Sequence, residues 1–270
     1  MPRPAARTAR LRPFDRPLAG ASVVVTRPAG TARALLARLR ALGANAINLP
    51  AIALRAAPGS ATLERALDAT RDAHAVVFVS PAAVRYAFAQ RPKLKIPRTT
   101  ALLAVGASTA AALRRRGFAH VRRPERQDSE GLIALPELAR VRGQRVVLVG
   151  AAGGRELLAE TLRARGARVV PAHVYARAAP SFDARRCAPL DAARTPLVTL
   201  LSSAEALANL RAGLPLALYA KLAAGELVVS SERLASAARA ALFSNVHVAR
   251  SALPADLVAA AQNALARHRL

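Results

Sequence analysis

The sequence predicts an α/β protein of two similar domains, each built on a parallel sheet. Short apolar strands alternate with helices of ten or more residues, the pattern in which each crossover returns the chain parallel to the strand before it. A strand–turn–helix–strand phrase occurs twice, once near the start and once in mid-chain. Each copy closes on a near-identical extended segment. A repeat this long, present only twice, means two domains rather than a solenoid.

The first phrase opens with the buried strand Ser22-Val-Val-Val-Thr26. The turn Arg27-Pro-Ala-Gly30 follows, then an amphipathic helix over 31–42 with Leu35, Leu36, Leu39 and Leu42 on one face. Gly43 stops that helix, and 43–58 runs extended. The second phrase has a strand over 145–149, the turn Gly150-Ala-Ala-Gly-Gly154, a helix over 155–165 and a stop at Gly166. The segment 166–180 then repeats the first connector. Both begin Gly-Ala, carry Pro-Ala in the middle and end Arg-Ala-Ala-Pro. Proline is tolerated at a strand edge or end but not in a central ladder, so both segments read as strands that leave a sheet and run on as connectors. Where the first has Leu54 the second has Tyr175, one of 3 tyrosines in the chain.

The echo extends beyond the phrases. A strand over 75–79 ends in Ser80 before a helix start, and Leu197-Val-Thr-Leu-Leu-Ser202-Ser203 answers it. The stretch Ala101-Leu-Leu-Ala-Val-Gly106-Ala-Ser-Thr109 answers to Glu226-Leu-Val-Val-Ser230-Ser231. A strand over 120–124 before a helix over 129–138 answers to a strand over 246–250 before a helix over 255–267. Each half thus places Gly, Ser or Thr between a strand's carboxyl end and the next helix. In open α/β sheets those turns line the ligand crevice. Helix amides, hydroxyls and glycine turns there make seats for anions. A lone serine in such a turn is more often an N-cap, so the collective pattern carries the weight. Two such sets facing one another would clasp a ligand with several carboxylates or phosphates.

Composition narrows the classes. The chain has 270 residues, 53% hydrophobic, with no apolar run of membrane-spanning length, so a globular protein without a membrane partner is expected. The net charge of +25 points toward polyanions. The basic residues are dispersed, however, aromatics make up only 3%, and no zinc-finger, RRM or KH pattern appears, so nucleic acid is not the expected partner. One cysteine, Cys187, excludes an internal disulfide framework and indicates a reducing, cytoplasmic location. Residues 1–17, rich in Arg and Pro, read as a disordered extension. GxGxxG, Walker, GxSxG and HExxH motifs are absent, and the histidines lack metal-ligand spacing, so neither cofactor nor metal is expected.

The phrases Val25-Thr-Arg-Pro28, Phe78-Val-Ser80-Pro-Ala-Ala-Val84, Ala104-Val-Gly106-Ala-Ser-Thr109-Ala-Ala-Ala-Leu113, Gly153-Gly-Arg155-Glu-Leu-Leu158 and Val174-Tyr175 resemble the uroporphyrinogen-III synthase family. The match runs from about Leu18 to the end. The resemblance implies two Rossmann-like, doubly wound domains joined by a two-stranded linker, with the active site in the inter-domain cleft. It also implies an interleaved topology. The repeat alone would cut the chain once near Gly143; the family pattern cuts it at both connectors. One domain is then 18–51 plus 177–270 and the other 52–176, with connector strands near 47–56 and 170–179.

The implied activity is that of a cyclising hydro-lyase of haem biosynthesis. It closes hydroxymethylbilane to uroporphyrinogen III with loss of water and inversion of ring D. The substrate is a small polycarboxylate, the enzyme a cytoplasmic monomer, and transient contact with hydroxymethylbilane synthase is expected. By motif match Tyr175 is the general acid that assists hydroxide departure. Ser80 and Thr109 match the family's strand-end hydroxyls, while Ser202, Ser203, Ser230 and Ser231 offer the same from the other domain. Arg27 and Arg155 stand beside the turns, where a guanidinium can hold a carboxylate with two parallel hydrogen bonds. Val79, Ala82 and the 230–235 segment depart from the family pattern, which leaves open a non-catalytic or weakly active anion-binding paralogue. The sequence also leaves room for a periplasmic-type binder or an Arg-rich nucleic-acid binder.

Overall fold

The structure, a computed structural model, describes residues 16–153 and 156–267. The extension expected over 1–17 lies, up to residue 15, outside them. In chain order the elements are β1 (Ser22–Val25), α1 (Arg33–Ala41), β2 (Asn45–Asn48), β3 (Ala53–Ala56), α2 (Ala61–Asp68), β4 (Ala75–Phe78), α3 (Pro81–Gln90), β5 (Ala101–Ala104), α4 (Ala107–Arg114) and α5 (Ser129–Ile133). They continue as β6 (Arg145–Ala151), α6 (Glu156–Ala164), β7 (Arg168–Ala178), α7 (Ala184–Asp191), β8 (Leu197–Leu201), α8 (Ala204–Gly213), α9 (Leu216–Ala224), β9 (Glu226–Val229), α10 (Glu232–Ala240), β10 (Asn245–Val248) and α11 (Pro254–Ala266).

The chain divides into two compact units. The first takes the residues up to Ala53 and those from Ala178 onward; the second is Leu54–Arg177. The first unit's five-stranded sheet has the order β10-β9-β8-β1-β2, parallel throughout. The second unit's has the order β3-β7-β6-β4-β5, and β4 to β7 are mutually parallel. The connector strands β3 and β7 are neighbours in this sheet, and just past β3 the Ala57 amide donates to the Val174 carbonyl at 3.1 Å.

Strand residues alternate between faces, and both faces of the second sheet are covered. Val76, Phe78, Val147 and Val149 point to a core shared with Leu63, Phe88 and Leu113 from α2, α3 and α4. Their neighbours Ala75, Val77, Val146 and Leu148 point the other way, to Leu132 of α5 and Leu158 and Leu162 of α6. Full burial on both sides is why these strands read as unbroken apolar runs rather than alternating ones. In the first unit Val23, Val25, Val198 and Leu200 pack on Leu35 and Leu39 of α1 and on Leu257, Ala261 and Leu265 of α11. Helices α9 and α10 cover the opposite face at β8 and β9.

Two expected elements differ. The strand expected over 120–124 is a single bridge, Leu103 to Arg122. The helix expected over 129–138 breaks into α5 and a 3-10 turn at Pro136–Leu138, because Pro136 has no amide to continue the ladder. Helices α2, α7 and α9 do not stand out in the sequence pattern. None of the three belongs to the duplicated phrases from which the other helices were read, and α7 also contains Pro189.

Helix α11 begins with Pro254 in its first turn, followed by the buried Asp256. The Ser251 hydroxyl donates to Asp256 Oδ2 at 2.5 Å and Arg250 Nη2 to Oδ1 at 2.8 Å. These bonds, the serine's first, hold the carboxyl below its ordinary range. A depressed carboxyl stabilises the fold above its unfolded value, about 3.9, and loses that stabilisation as pH falls through the folded value. Asp256→Asn is therefore expected to lower the urea unfolding midpoint at neutral pH. Its difference from the parent should close as pH drops below about 3.9.

Candidate functional site

The carboxyl end of the second sheet brings Tyr175 and Ser80 together. Phe78 pairs with Val149 and Ala104, so two residues on, Ser80 stands level with Ala151 and Gly106. Ala151 in turn pairs with Tyr175, because the register shifts by one residue after Gly150 and His173. That bulge breaks the inside–outside alternation of β7, so the successive residues Val174 and Tyr175 are both buried. The intervening position holds only a methyl group, Ala151, and across it the Tyr175 hydroxyl lies 3.1 Å from Ser80 Oγ. Gly150 lies close beneath Val79: a Cβ there would stand 2.6 Å from a Val79 methyl, so a larger residue would force that side chain to shift. A cavity of about 230 Å³ opens on the α6 side of the sheet, lined by Val79, Gly150 and Ala151 together with Glu156, Glu160 and Arg163; neither Ser80 nor Tyr175 lines it.

Ser80 has two duties. As N-cap of α3 its Oγ accepts the Ala83 amide at 3.0 Å. That bond uses one lone pair, leaving the hydroxyl proton free to go to the tyrosine oxygen.

Thr109, in the first turn of α4, is fully buried, and its Oγ1 has no hydrogen-bond partner. An unmet buried hydroxyl costs about 1–3 kcal/mol, a penalty that a ligand reaching this strand-end turn would relieve. Thr199, deep in β8, is equally buried and unpartnered, so position rather than the orphaned oxygen alone singles out Thr109. The residue that sequence reasoning missed is Gln127. Its Oε1 accepts the Ala107 amide at 2.9 Å and fills the space beside Gly106, so the first amide of α4 is already occupied.

The first sheet offers a second row. Val25 pairs with Leu200 and Leu201 with Val229, so past the strand ends Arg27, Ser202 and Ser230 fall on one line across β1, β8 and β9. Arg27 is half-buried. Its Nη2 donates to the Ala252 carbonyl at 2.5 Å, its buried Nε has no partner, and it makes no ion pair among the described residues. Burial pushes its pKa down. Ser203 and Ser231 are N-caps, accepting the Ala206 amide at 3.4 Å and the Leu234 amide at 3.3 Å. As at Ser80, the cap bond uses an oxygen lone pair and leaves the hydroxyl proton available. Ser202 and Ser230 are half-buried. Arg155 lies outside the described residues.

A larger cavity, about 460 Å³, opens at the opposite, amino-terminal end of the first sheet around Gly20, Pro196, Leu197, Gly225 and Glu226. It shares no residue with the predicted set. Its one charged lining residue is a carboxylate, which repels a polyacid.

Known proteins match this chain along most of its length. The family model described as uroporphyrinogen-III synthase HemD matches residues 33–259. The uroporphyrinogen-III synthase of Salmonella typhimurium is 36% identical over 236 residues, covering 86% of this chain and 96% of that protein. The enzyme of that name from Escherichia coli K12 is 34% identical over the same coverage. Among solved structures, a uroporphyrinogen-III synthetase from Helicobacter pylori 26695 superposes with a TM-score of 0.56 at 13% identity, covering 90% of this chain and 99% of that one. A mutant uroporphyrinogen III synthase from the extremely thermophilic bacterium Thermus thermophilus gives 0.51 at 18%, covering 92% and 99%. At such identities these two speak for the fold alone.

If the Thr109 hydroxyl is held for a ligand, Thr109→Val should leave stability unchanged or raise it by about 1 kcal/mol. The same substitution should weaken substrate binding. Urea unfolding and KM together decide. A loss of stability of about 1 kcal/mol or more would instead mean that the hydroxyl has a structural partner.

Proposed function

Because the chain belongs to the uroporphyrinogen-III synthase family, we propose that it closes hydroxymethylbilane to uroporphyrinogen III with loss of water and inversion of ring D. The reaction makes it a hydro-lyase of haem biosynthesis, working in the cytoplasm as a monomer. No helix among the described residues is long and apolar enough to cross a membrane.

The observation that carries the chemistry is the Ser80–Tyr175 pair at 3.1 Å. The hydroxyl on ring A must leave as water, with the pyrrole nitrogen supplying the electron pair that breaks the C–O bond. Tyr175 supplies the proton, or most of a hydrogen bond, to the departing oxygen. Phenols are weak acids, with an ordinary pKa near 10, so charge building on the phenol oxygen needs a donor. In this reading Ser80 is that donor: its oxygen accepts from Ala83, and its proton can turn to the tyrosine oxygen when Tyr175 donates to the substrate. The proton returns to Tyr175 when the last pyrrole carbon loses its hydrogen after ring closure.

Isomer control is a separate task. Ring D must attack through its substituted carbon, giving a spiro intermediate, rather than through its free carbon. Holding the chain bent in that way is positioning, worth many kcal/mol of orientation without any reactive group. The substrate's carboxylates supply the handles. Arg27 carries the strongest case, since a half-buried cation without an ion pair among the described residues gains most when an anion arrives. Ser202 and Ser230 stand in its row, Thr109 and the Gly106 turn in that of Ser80. Ser203 and Ser231 contribute helix starts and the hydroxyl protons that capping leaves available, and Arg155, outside the described residues, belongs to the set by its place in the sequence.

Two outcomes test this reading with enzymatically made hydroxymethylbilane and resolved porphyrin isomers. Tyr175→Phe should lower kcat about tenfold to a hundredfold while the product stays type III. Undiminished turnover would remove the phenol from the mechanism, and type I product alone from the parent protein would mean that no cyclisation is catalysed. Arg27→Met should raise KM about tenfold with kcat little changed, as expected of a carboxylate contact kept from ground to transition state.

A further inference from the structure

We propose that Tyr86 is a positioning residue for Tyr175, fixing the plane and reach of its phenol. This rests on the reading of Tyr175 as the group that meets the leaving oxygen.

Tyr175 is buried and paired with Ala151 in β7, but that pairing fixes its backbone rather than its ring. It follows a bulge near the carboxyl end of β7, and its hydroxyl meets Ser80 only by reaching across Ala151. What fixes its ring is Tyr86, six residues into α3. The two rings stack with centroids 5.4 Å apart and planes 22° from parallel. Offset stacking of this kind resists rotation of either ring. Tyr86 is itself anchored. Its hydroxyl donates to the Leu54 carbonyl of β3 at 2.5 Å, and the Arg85 guanidinium sits 4.6 Å from its ring centroid.

One helix face therefore grips both connector strands. Ser80 at the start of α3 meets Tyr175, Tyr86 meets Tyr175 and Leu54, and Gln90 at its end donates to the Val174 carbonyl at 2.6 Å. Two of these contacts fall on Tyr175 itself and a third on its neighbour's carbonyl. A phenol on a strand past a bulge would swing by an ångström or more without them. A misplacement of that size at a reacting proton costs about a hundredfold in rate. Proton donation over 3 Å depends steeply on reach, whereas carboxylate binding elsewhere does not, so kcat should respond and KM should not.

The experiment is a double-mutant cycle on the full chain. Tyr86→Leu, which removes ring and hydroxyl, is expected to lower kcat about tenfold or more with KM changed less than about twofold. Tyr86→Phe, which keeps the stack and loses only the Leu54 anchor, should recover most of that loss. In a Tyr175→Phe background neither substitution should slow the enzyme further. A second readout needs no activity. The chain has no tryptophan and only 3 tyrosines, so its near-ultraviolet circular dichroism is dominated by tyrosine. Tyr86→Leu and Tyr175→Phe should abolish the same band. Additive losses in kcat, a KM effect in place of a kcat effect, or unrelated spectral changes would overturn the proposal. If Tyr175→Phe alone leaves kcat intact, it is the role of Tyr175 that has failed, and positioning for catalysis falls with it. Should Tyr86→Leu not fold, Tyr86→Met, which also removes the ring, takes its place: a kcat loss present with Tyr175 and absent in the Tyr175→Phe background supports the proposal, and equal losses or none overturn it.

Discussion

Parallel pairing is the constraint from which the site follows. When strands run the same way, all their carboxyl ends gather at one edge of the sheet, and the helices that follow all begin there. Nothing further is needed to bring Arg27, Ser202 and Ser230 into line in one unit, or Gly106, Ser80, Ala151 and Tyr175 in the other. What must be tuned is local. Ala151 has to be small for a tyrosine to reach over it. Gly150 leaves room for the Val79 methyl, which a side chain there would displace. A one-residue bulge has to turn Tyr175 to the face where Ser80 waits.

The internal repeat explains why both units present the same arrangement. Matching the two phrases sets β1 against β6, β8 against β4 and β9 against β5, and each set occupies corresponding places in its sheet. Even the missing strand obeys. Arg122 bridges to β5 where β10 pairs with β9, so the expected element survives as one residue pair in the right place. The strand order reverses between β1 and β8 in one sheet and between β6 and β4 in the other. Open sheets bind ligands at such reversals, and they carry Arg27 with Ser202, and the Gly150–Gly153 turn with Ser80. The repeat has diverged in chemistry, not in layout: cation and serine in one copy, tyrosine and serine in the other.

This accounts for what the sequence made legible. Layout follows from hydrophobic period, glycine stops and duplication, all of which are written in consecutive residues. The place of Ser80, Ser202 and Ser230 just past strand ends was therefore readable. Their individual duties were not, because those depend on which side chains meet across strands. That Ser203 and Ser231 serve as caps while Ser80 serves as cap and partner at once is decided by a tyrosine far along the chain. Gln127 was invisible for the same reason. It sits in an irregular stretch, and only its return to the α4 amide gives it meaning. Tyr86 read as one more residue of a helix.

Charge shows the same division between composition and placement. A net +25 suggests that the whole surface attracts a polyacid, and over distances within a Debye length it does raise encounter rates. It does not hold the ligand. An exposed arginine binding a carboxylate gains at most about 1 kcal/mol, because water and salt already satisfy both partners. The turn amides are a weaker seat than their number implies: caps from Ser80, Ser203 and Ser231 and the side-chain carbonyl of Gln127 consume one at each helix start. Glu205 and Glu232 add negative charge in the first turns of α8 and α10. Arg27 is different in kind. Its charge has already been taken partly out of water with one nitrogen unmatched, so the desolvation cost is borne by the folded protein before the substrate arrives. A carboxylate that reaches it recovers that cost. On the proposed reading, selectivity for a polyacid would rest on this one under-solvated cation and the hydroxyls in its row, with the remaining arginines only shortening the search.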